Sequence, residues 1–293
     1  MRRSSFAIVL ITCIISATAC RHGGNNTEPA VLTLATYNVG VFDKSGTNTT
    51  GMIASMMKEL GVQVLGMNEL DSCNLRHPEF QLRDFAEAIG GWNYIFAPAI
   101  NYKGGKYGIG TVSSAELKPV RQYGITLDQA GGAEQRAMAV SVFDDFVFCA
   151  THLDYKSAEA QISQVKQICA WASVNYGDSD IPVFMCGDFN AEPDSGTISL
   201  MKKDWTILSP LQPTFSAKNP VKCIDYIMVY KNASQRVKLL DSGVAAEFKT
   251  GDVTVASDHL PVFVKVELAQ RHRMAVDAVG NRAKLSGENV PDN

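Results

Sequence analysis

Side chains able to move protons, hold a metal or grip an anion recur where apolar runs stop: Asn38, Glu69, His152, Asp188 with Asn190, Asp225, and Asp258 with His259. The stretch that organises the rest is Cys186-Gly187-Asp188-Phe189-Asn190, which ends the apolar run Ile181-Pro182-Val183-Phe184-Met185. In an extended chain Asp188 and Asn190, two apart, project to one side while Phe189 points away. A carboxylate there can orient or deprotonate a water, and a carboxamide can donate to a phosphoryl oxygen as charge builds on it. Each residue also has a plainer reading. Asp188 and Asn190 can form an Asx-type turn closing a strand, Asn38 and Asp225 can be turn residues, and Glu69 can be a surface charge. His152 can be a satisfied strand-end histidine, and Asp258-His259 a capped turn before Pro261. Together they amount to a metal carboxylate, two imidazoles and a set of hydrogen-bonding partners. Chance placement rarely produces that combination, and it suits phosphoester hydrolysis.

The elements that must deliver these residues can be traced from periodicity. Val31 to Asn38 alternates as a first strand, and Val62 to Met67 is a second, ending in Asn68-Glu69. Between them Met52, Ile53, Met56, Met57 and Leu60 fall at helical spacing, with Gly61 as the stop. Leu82, Phe85, Ala86 and Ile89 mark another amphipathic helix, closed by Gly90-Gly91. Tyr94 to Ala97 and Tyr107 to Val112 read as strands. The segment Lys103-Gly104-Gly105-Lys106 between them lacks the ending of a nucleotide-binding loop and reads as a mobile surface loop beside the site. Arg136 to Phe143 and Phe146 to His152 flank Asp144-Asp145 as a hairpin. Ile162, Val165, Cys169 and Ala172 give a helix face, and Asp194 is the expected cap of a short helix through Met201. Cys223 to Val229 is a strand carrying Asp225, and Pro261 to Leu268 is the last.

The 293 residues carry 46% hydrophobic and 19% charged side chains with a net charge of −3, an ordinary globular balance that excludes a fibrous or broadly disordered chain. A nucleic-acid substrate stays open, since a local basic patch suffices, but nothing supports tight duplex binding. Met1-Arg2-Arg3 followed by apolar residues 6–19 is a secretory leader, spanning residues 1–19. It ends Ala17-Thr18-Ala19-Cys20, which resembles a bacterial lipoprotein processing site with Cys20 lipidated; the alternative is an ordinary secretory signal with a chance cysteine. Residues 20–30 then form a lipidated tether, 31–268 one catalytic domain, and 269–293 a loosely ordered tail. The expected location is exported and lipid-anchored to a bacterial membrane, periplasmic or at the cell surface. Cys73, Cys149, Cys169, Cys186 and Cys223 form no CxxC pair, which argues against zinc and a disulfide framework, while a single disulfide stays open.

Several stretches resemble the endonuclease/exonuclease/phosphatase superfamily of metal-dependent phosphoesterases. They are Ala35-Thr36-Tyr37-Asn38-Val39, Asn68-Glu69-Leu70, Tyr107-Gly108-Ile109-Gly110, Thr151-His152-Leu153-Asp154, Gly187-Asp188-Phe189-Asn190, Ile224-Asp225-Tyr226-Ile227 and Ser257-Asp258-His259-Leu260-Pro261. They occur in the family's order and cover nearly all of residues 31–268. The resemblance implies an α/β fold, a four-layer sandwich of two mostly antiparallel β-sheets flanked by helices, with the active cleft at one edge. It implies Glu69 as the principal Mg²⁺ ligand, with Asn38 a nearby ligand or phosphate contact and Asp258 a further metal residue; Mn²⁺ is a possible substitute. Asp188 is implied to orient or deprotonate the water and Asn190 to hold a phosphoryl oxygen. His259, oriented by Asp258, acts at the reacting phosphate as base or as a stabilising cation. His152 contacts the phosphate or assists the leaving group, Asp225 orients an imidazole, and Arg136 adds positive charge. Asn68 replaces the family's usual Gln, Cys223 stands where relatives often carry a basic residue, and residues 108–114 match their strand only loosely.

The substrate is the open question, because one fold serves many. The chain has no concentrated Arg/Lys insertion, and Lys103 and Lys106 are the only paired basic residues near the expected cleft. A small or lipid-derived phosphomonoester or phosphodiester is therefore expected, acted on by a monomer. A nuclease is the second reading, and a non-catalytic binding lipoprotein a third of another class.

Overall fold

Runs that alternate or are wholly apolar form the sheets, and runs at helical spacing cover them, in a computed structural model that describes residues 30–270. The order is β1 (Ala30–Asn38), α1 (Thr50–Glu59), β2 (Val64–Ser72), α2 (Gln81–Ala88), β3 (Asn93–Tyr102), β4 (Gly105–Ser113), β5 (Arg121–Leu127), β6 (Arg136–Val142), β7 (Val147–His152) and α3 (Ala158–Tyr176). Then come β8 (Val183–Asp188), α4 (Gly196–Asp204), β9 (Trp205–Ile207), β10 (Asp225–Tyr230), β11 (Val237–Val244), α5 (Val253–Ala256) and β12 (Val262–Leu268). One six-stranded sheet runs β11-β12-β1-β2-β4-β3 and the other β5-β6-β7-β8-β10-β9. Each is mixed: β1 with β2 and β7 with β8 are parallel pairs, and every other ladder is antiparallel.

Three apolar layers hold the stack. Leu34, Val64 and Val264 from one sheet meet Phe148, Phe184 and Ile227 from the other. Outside the first sheet, Ile53, Met56 and Met57 of α1 and Leu82 and Phe85 of α2 pack on Tyr37, Leu65 and Met67. Outside the second, Val165 and Ile168 of α3 and Ile198 and Met201 of α4 pack on Val140, Met185 and Met228. Each such side chain contributes roughly 1.5–3 kcal/mol on burial, so the four-layer architecture follows from where the sequence puts its apolar faces.

The structure departs from the sequence reading in particulars. β3 and β4 join through Lys103 (φ 43°) and Gly104 (φ 87°), a two-residue hairpin turn in the left-handed region, so the glycine-rich segment is a tight turn. Ser195, not Asp194, caps α4, its hydroxyl accepting from the Ile198 N–H. The strands β5, β9 and β11 were not legible; all three lie at sheet edges, where one missing neighbour weakens the apolar pattern. The five cysteines among the described residues are free. The expected leader, Cys20 and the tail from residue 271 lie outside the described residues. Among the described residues no helix is long and apolar enough to cross a membrane.

Candidate active site

One edge of the sandwich collects strand ends from both sheets. β1 finishes at Asn38, β7 at His152 and β8 at Asp188, while β10 begins at Asp225 and His259 precedes β12. Register fixes the neighbours: Asp188 lies beside His152 in the parallel ladder and beside Asp225 in the antiparallel one. Gly187 makes this approach feasible. Its φ is 140°, and a Cβ there would stand 1.8 Å from the Thr151 carbonyl oxygen.

Asp188 is the hub. Its Oδ2 lies 3.2 Å from Asn38 Nδ2, 3.5 Å from His152 Nε2 and 3.6 Å from His259 Nε2. Its Oδ1 accepts the Asn190 N–H at 2.8 Å, and its own N–H donates to Asn68 Oδ1 at 3.0 Å. The Asn68 amide also donates to the Thr151 carbonyl at 2.8 Å, so this fully buried residue ties the two sheets together behind the hub. Asn190 (φ 49°) turns its amide to the Leu153 carbonyl at 3.1 Å and lines the cleft, while Phe189 packs edge-on against Tyr226 in the core.

His259 is held by Asp225, not by Asp258. Its Nδ1 lies 2.9 Å from Asp225 Oδ2, which also accepts from Thr214 Oγ1 at 2.6 Å. Asp258, expected in that role, turns the other way and meets Lys44 Nζ at 3.1 Å; adjacent residues of an extended segment point to opposite sides.

Burial, and then the Asp225 charge, push the Asp188 carboxyl up to about 7. For His259 burial works downward, but the charge and hydrogen bond of Asp225, followed by Asp188 and Asp258, raise the imidazole to about 10. Burial holds His152 well below the ordinary imidazole value, assisted by the Arg136, His259 and Lys44 cations. The site thus contains one imidazolium, one neutral imidazole and a carboxyl that exchanges its proton near neutrality.

Glu69 occupies a β-bulge between Met67 and Leu70 with φ 58°, and the sequence had placed it at a strand end. The bulge re-aims its carboxylate toward the cleft, where Oε1 accepts from Asn38 Nδ2 at 3.1 Å and Oε2 lies 3.4 Å from Lys44 Nζ. Asn38 presents its NH₂ group to Glu69 and Asp188, while its carbonyl oxygen accepts from the Gly40 N–H at 3.1 Å. Its contact with this face is therefore through nitrogen. Glu69 and Asp258 offer hard, partly exposed oxygens with a cationic group already between them, a donor set that fits a hard divalent ion. Asp188, Asp225 and His259 also bring ligand atoms within 4.8 Å of one another. The three groups are deeply buried, and Asp225 and His259 are already hydrogen-bonded to each other.

The cleft measures about 910 Å³. Arg136 is 2% exposed, with Nη1 3.0 Å from Glu134 Oε1, and its Nε has no partner. Arg76, Lys156 and Lys222 also line the cleft, whereas Lys103 and Lys106 do not. Lys222, one position before the buried Cys223, puts a basic side chain in the cleft wall. Lys44 was missed because a lone lysine in a polar loop gives no periodic signal. Arg76 was missed for a related reason: it depends on buried Asp71, which takes its Nε at 2.7 Å and Nη2 at 2.9 Å and so holds the guanidinium 4.6 Å from the Tyr102 ring centre.

This geometry belongs to a recognised class. The model of the Endonuclease/Exonuclease/phosphatase family matches residues 35–259, and the chain belongs to that family of phosphoester hydrolases, which generally use a divalent metal. A family protein from Bacteroides thetaiotaomicron is similar in structure, with TM-score 0.66 and 20% identity over 83% of this chain and 100% of that one. A mannosyl-6-phosphatase of the same organism gives TM-score 0.65 and 19% identity over 80% of this chain and 99% of that one. The catalytic domain of human Nocturnin, solved with bound sulfate, gives TM-score 0.62 and 14% identity over 82% and 97%. No curated protein matches significantly.

Proposed function

We propose that the chain is a Mg²⁺-dependent hydrolase of a small or lipid-derived phosphomonoester or phosphodiester. The observation that carries this reading is Asp188, buried between His152 and His259 at one wall of the cleft, where burial raises its carboxyl to about 7. Asp188 takes a proton from the attacking water, and a base is most effective when its pKa lies near the working pH. His259, kept cationic by Asp225, donates to a phosphoryl oxygen as negative charge grows there. Arg136 adds fixed charge at the same group through its unpartnered Nε, and Asn190 limits where the phosphate can sit. His152, neutral, hydrogen-bonds to the phosphate or the departing oxygen. Glu69 and Asp258, with Asn38 beside them, would hold the metal, which neutralises phosphoryl charge and polarises the ester.

The substrate class is supported by the cleft. Its size lies in the range of small-molecule sites, and Tyr102, Tyr107 and Tyr155 give it rigid walls suited to a compact leaving group. The secretory leader and Cys20 support an exported, lipid-anchored enzyme. Replacing Cys20 with Ser and finding the protein still in the membrane fraction would remove that part of the reading. For the chemistry, purified protein with Mg²⁺ is assayed against a phosphomonoester, a phosphodiester, sphingomyelin and plasmid DNA, with and without EDTA. Release of phosphate or alcohol that stops with EDTA is the expected result. Plasmid nicking alone overturns the substrate class, and no turnover of any substrate favours a binding protein.

A further inference from the structure

Lys44 stands where nothing in the catalytic scheme requires a lysine. Its Nζ lies 3.4 Å from Glu69 Oε2 and 3.1 Å from Asp258 Oδ2, bridging the two carboxylates assigned to the metal. We propose that Lys44 is a tethered counter-ion that competes with the divalent metal for Glu69 and Asp258 and so sets how tightly the chain holds that metal. The inference rests on the metal reading given above.

The loop is shaped to bring the ammonium there. Gly40, Val41 and Phe42 adopt φ of 52°, 54° and 56°, three successive left-handed residues that follow Asn38 after the single residue Val39. The Lys44 stem lies across Gly40: a Cβ at that glycine would stand 2.3 Å from Lys44 Cγ and Cε. The Gly40 N–H in turn fixes the carbonyl of Asn38, so one turn positions both the cation and the amide beside Glu69. An ammonium and a divalent ion seeking the same oxygens repel each other at close range. Lysine suits a displaceable occupant because its point charge rides on a flexible stem, and its side chain is 36% exposed, leaving a route to solvent. Metal binding then requires release of an ion pair within the chain, and in the metal-free protein the ammonium offsets the repulsion between the two carboxylates.

The test measures Mn²⁺ binding to the purified protein by calorimetry, alongside thermal unfolding in EDTA and in saturating Mn²⁺. With Lys44→Met, Mn²⁺ is expected to bind about fivefold more tightly, the upper scale of a partly exposed ion pair. The variant is also expected to melt lower than wild type in EDTA and to recover that difference in Mn²⁺. Glu69→Gln is the control and weakens binding. Unchanged or weaker Mn²⁺ affinity in K44M, with E69Q weakened as expected, overturns the competition and leaves the metal reading standing. A melting loss in K44M that is equal with and without Mn²⁺ also overturns it, since that marks a structural lysine. Affinity indifferent to both substitutions removes the metal assignment as well.

Discussion

Asp225→Asn isolates the contact that keeps His259 cationic. The substitution preserves shape, retains a group able to pair with Thr214 and His259, and removes one charge from a residue 1% exposed. In the wild-type chain Asp225 is the leading upward influence on His259, raised from 6.5 to about 10, and it also helps to raise Asp188 from 3.8 to about 7. Both groups hold protons more tightly when folded than when unfolded, so each loses its contribution as pH rises. Asp188 does so between 3.8 and about 7, and His259 between 6.5 and about 10. At about 1.36 kcal/mol per pKa unit, the His259 span corresponds to a ceiling of roughly 5 kcal/mol. With Asp225 neutral and the burial unchanged, roughly half of that dependence, about 2–3 kcal/mol, is expected to vanish. Urea unfolding of both proteins from pH 7 to pH 10 measures it, with NMR titration of the His259 ring as the direct readout. Wild type weakens steadily over that range, and D225N gives a flatter profile. An imidazole that still titrates near 10 in D225N would refute the account, because Asp188 and Asp258 are credited with only the smaller upward influences.

Asp188→Asn is expected to cut turnover by a factor of at least about 10³. It should leave the melting temperature at pH 8 unchanged or higher, since a carboxylate forced upward by burial weakens the fold when ionised. Gly187→Ala meets the Thr151 carbonyl at 1.8 Å and should lower stability by more than about 4 kcal/mol, seen as loss of soluble folded protein. Asn68→Ala leaves the buried Asp188 N–H and Thr151 carbonyl unpaired and should cost about 2–3 kcal/mol in urea unfolding. Arg136→Lys keeps charge but loses the Nε donor. Protection of the protein against heat by inorganic phosphate should need about tenfold more ligand, and an unchanged dose curve would remove Arg136 from the phosphate site.

Much of the architecture could be read because apolar periodicity reports burial directly. The Met-rich stripe of α1 packs as its spacing predicts, with Met56 and Met57 fully buried. Strands β1, β7, β8, β10 and β12 were legible because each is buried on both faces or alternates cleanly, and Asn38, His152, Asp188, Asp225 and His259 lie on them or beside their ends. Edge strand β11 was illegible because Lys238 to Asp241 face solvent and mimic a loop. At the site, residue types could be read but partnerships could not. Sequence alone pairs His259 with its neighbour Asp258 and leaves Asp225 to an unspecified imidazole; the ladder register, with Asp225 opposite Asp188, is what brings Asp225 to His259. Glu69 shows the same limit: a bulge is a matter of two strands, invisible in either one alone.

The two parallel pairs explain why such a site forms at this edge. A parallel pair ends both its strands on the same side, so β1 with β2 and β7 with β8 bring four polar positions to one rim without a turn between them. Antiparallel β10 and β12 enter at that rim and supply Asp225 and His259 from their beginnings. The fold therefore gathers acids and imidazoles that repel, desolvate and perturb one another, and Asp225 Oδ1 and Arg136 Nε are left buried without partners. A buried unsatisfied group costs about 1–3 kcal/mol, and a site optimised only for stability would pair or replace them. The apolar layers on either side offset that cost, and of these two groups Arg136 is the donor whose charge a phosphoryl group in the cleft would complement.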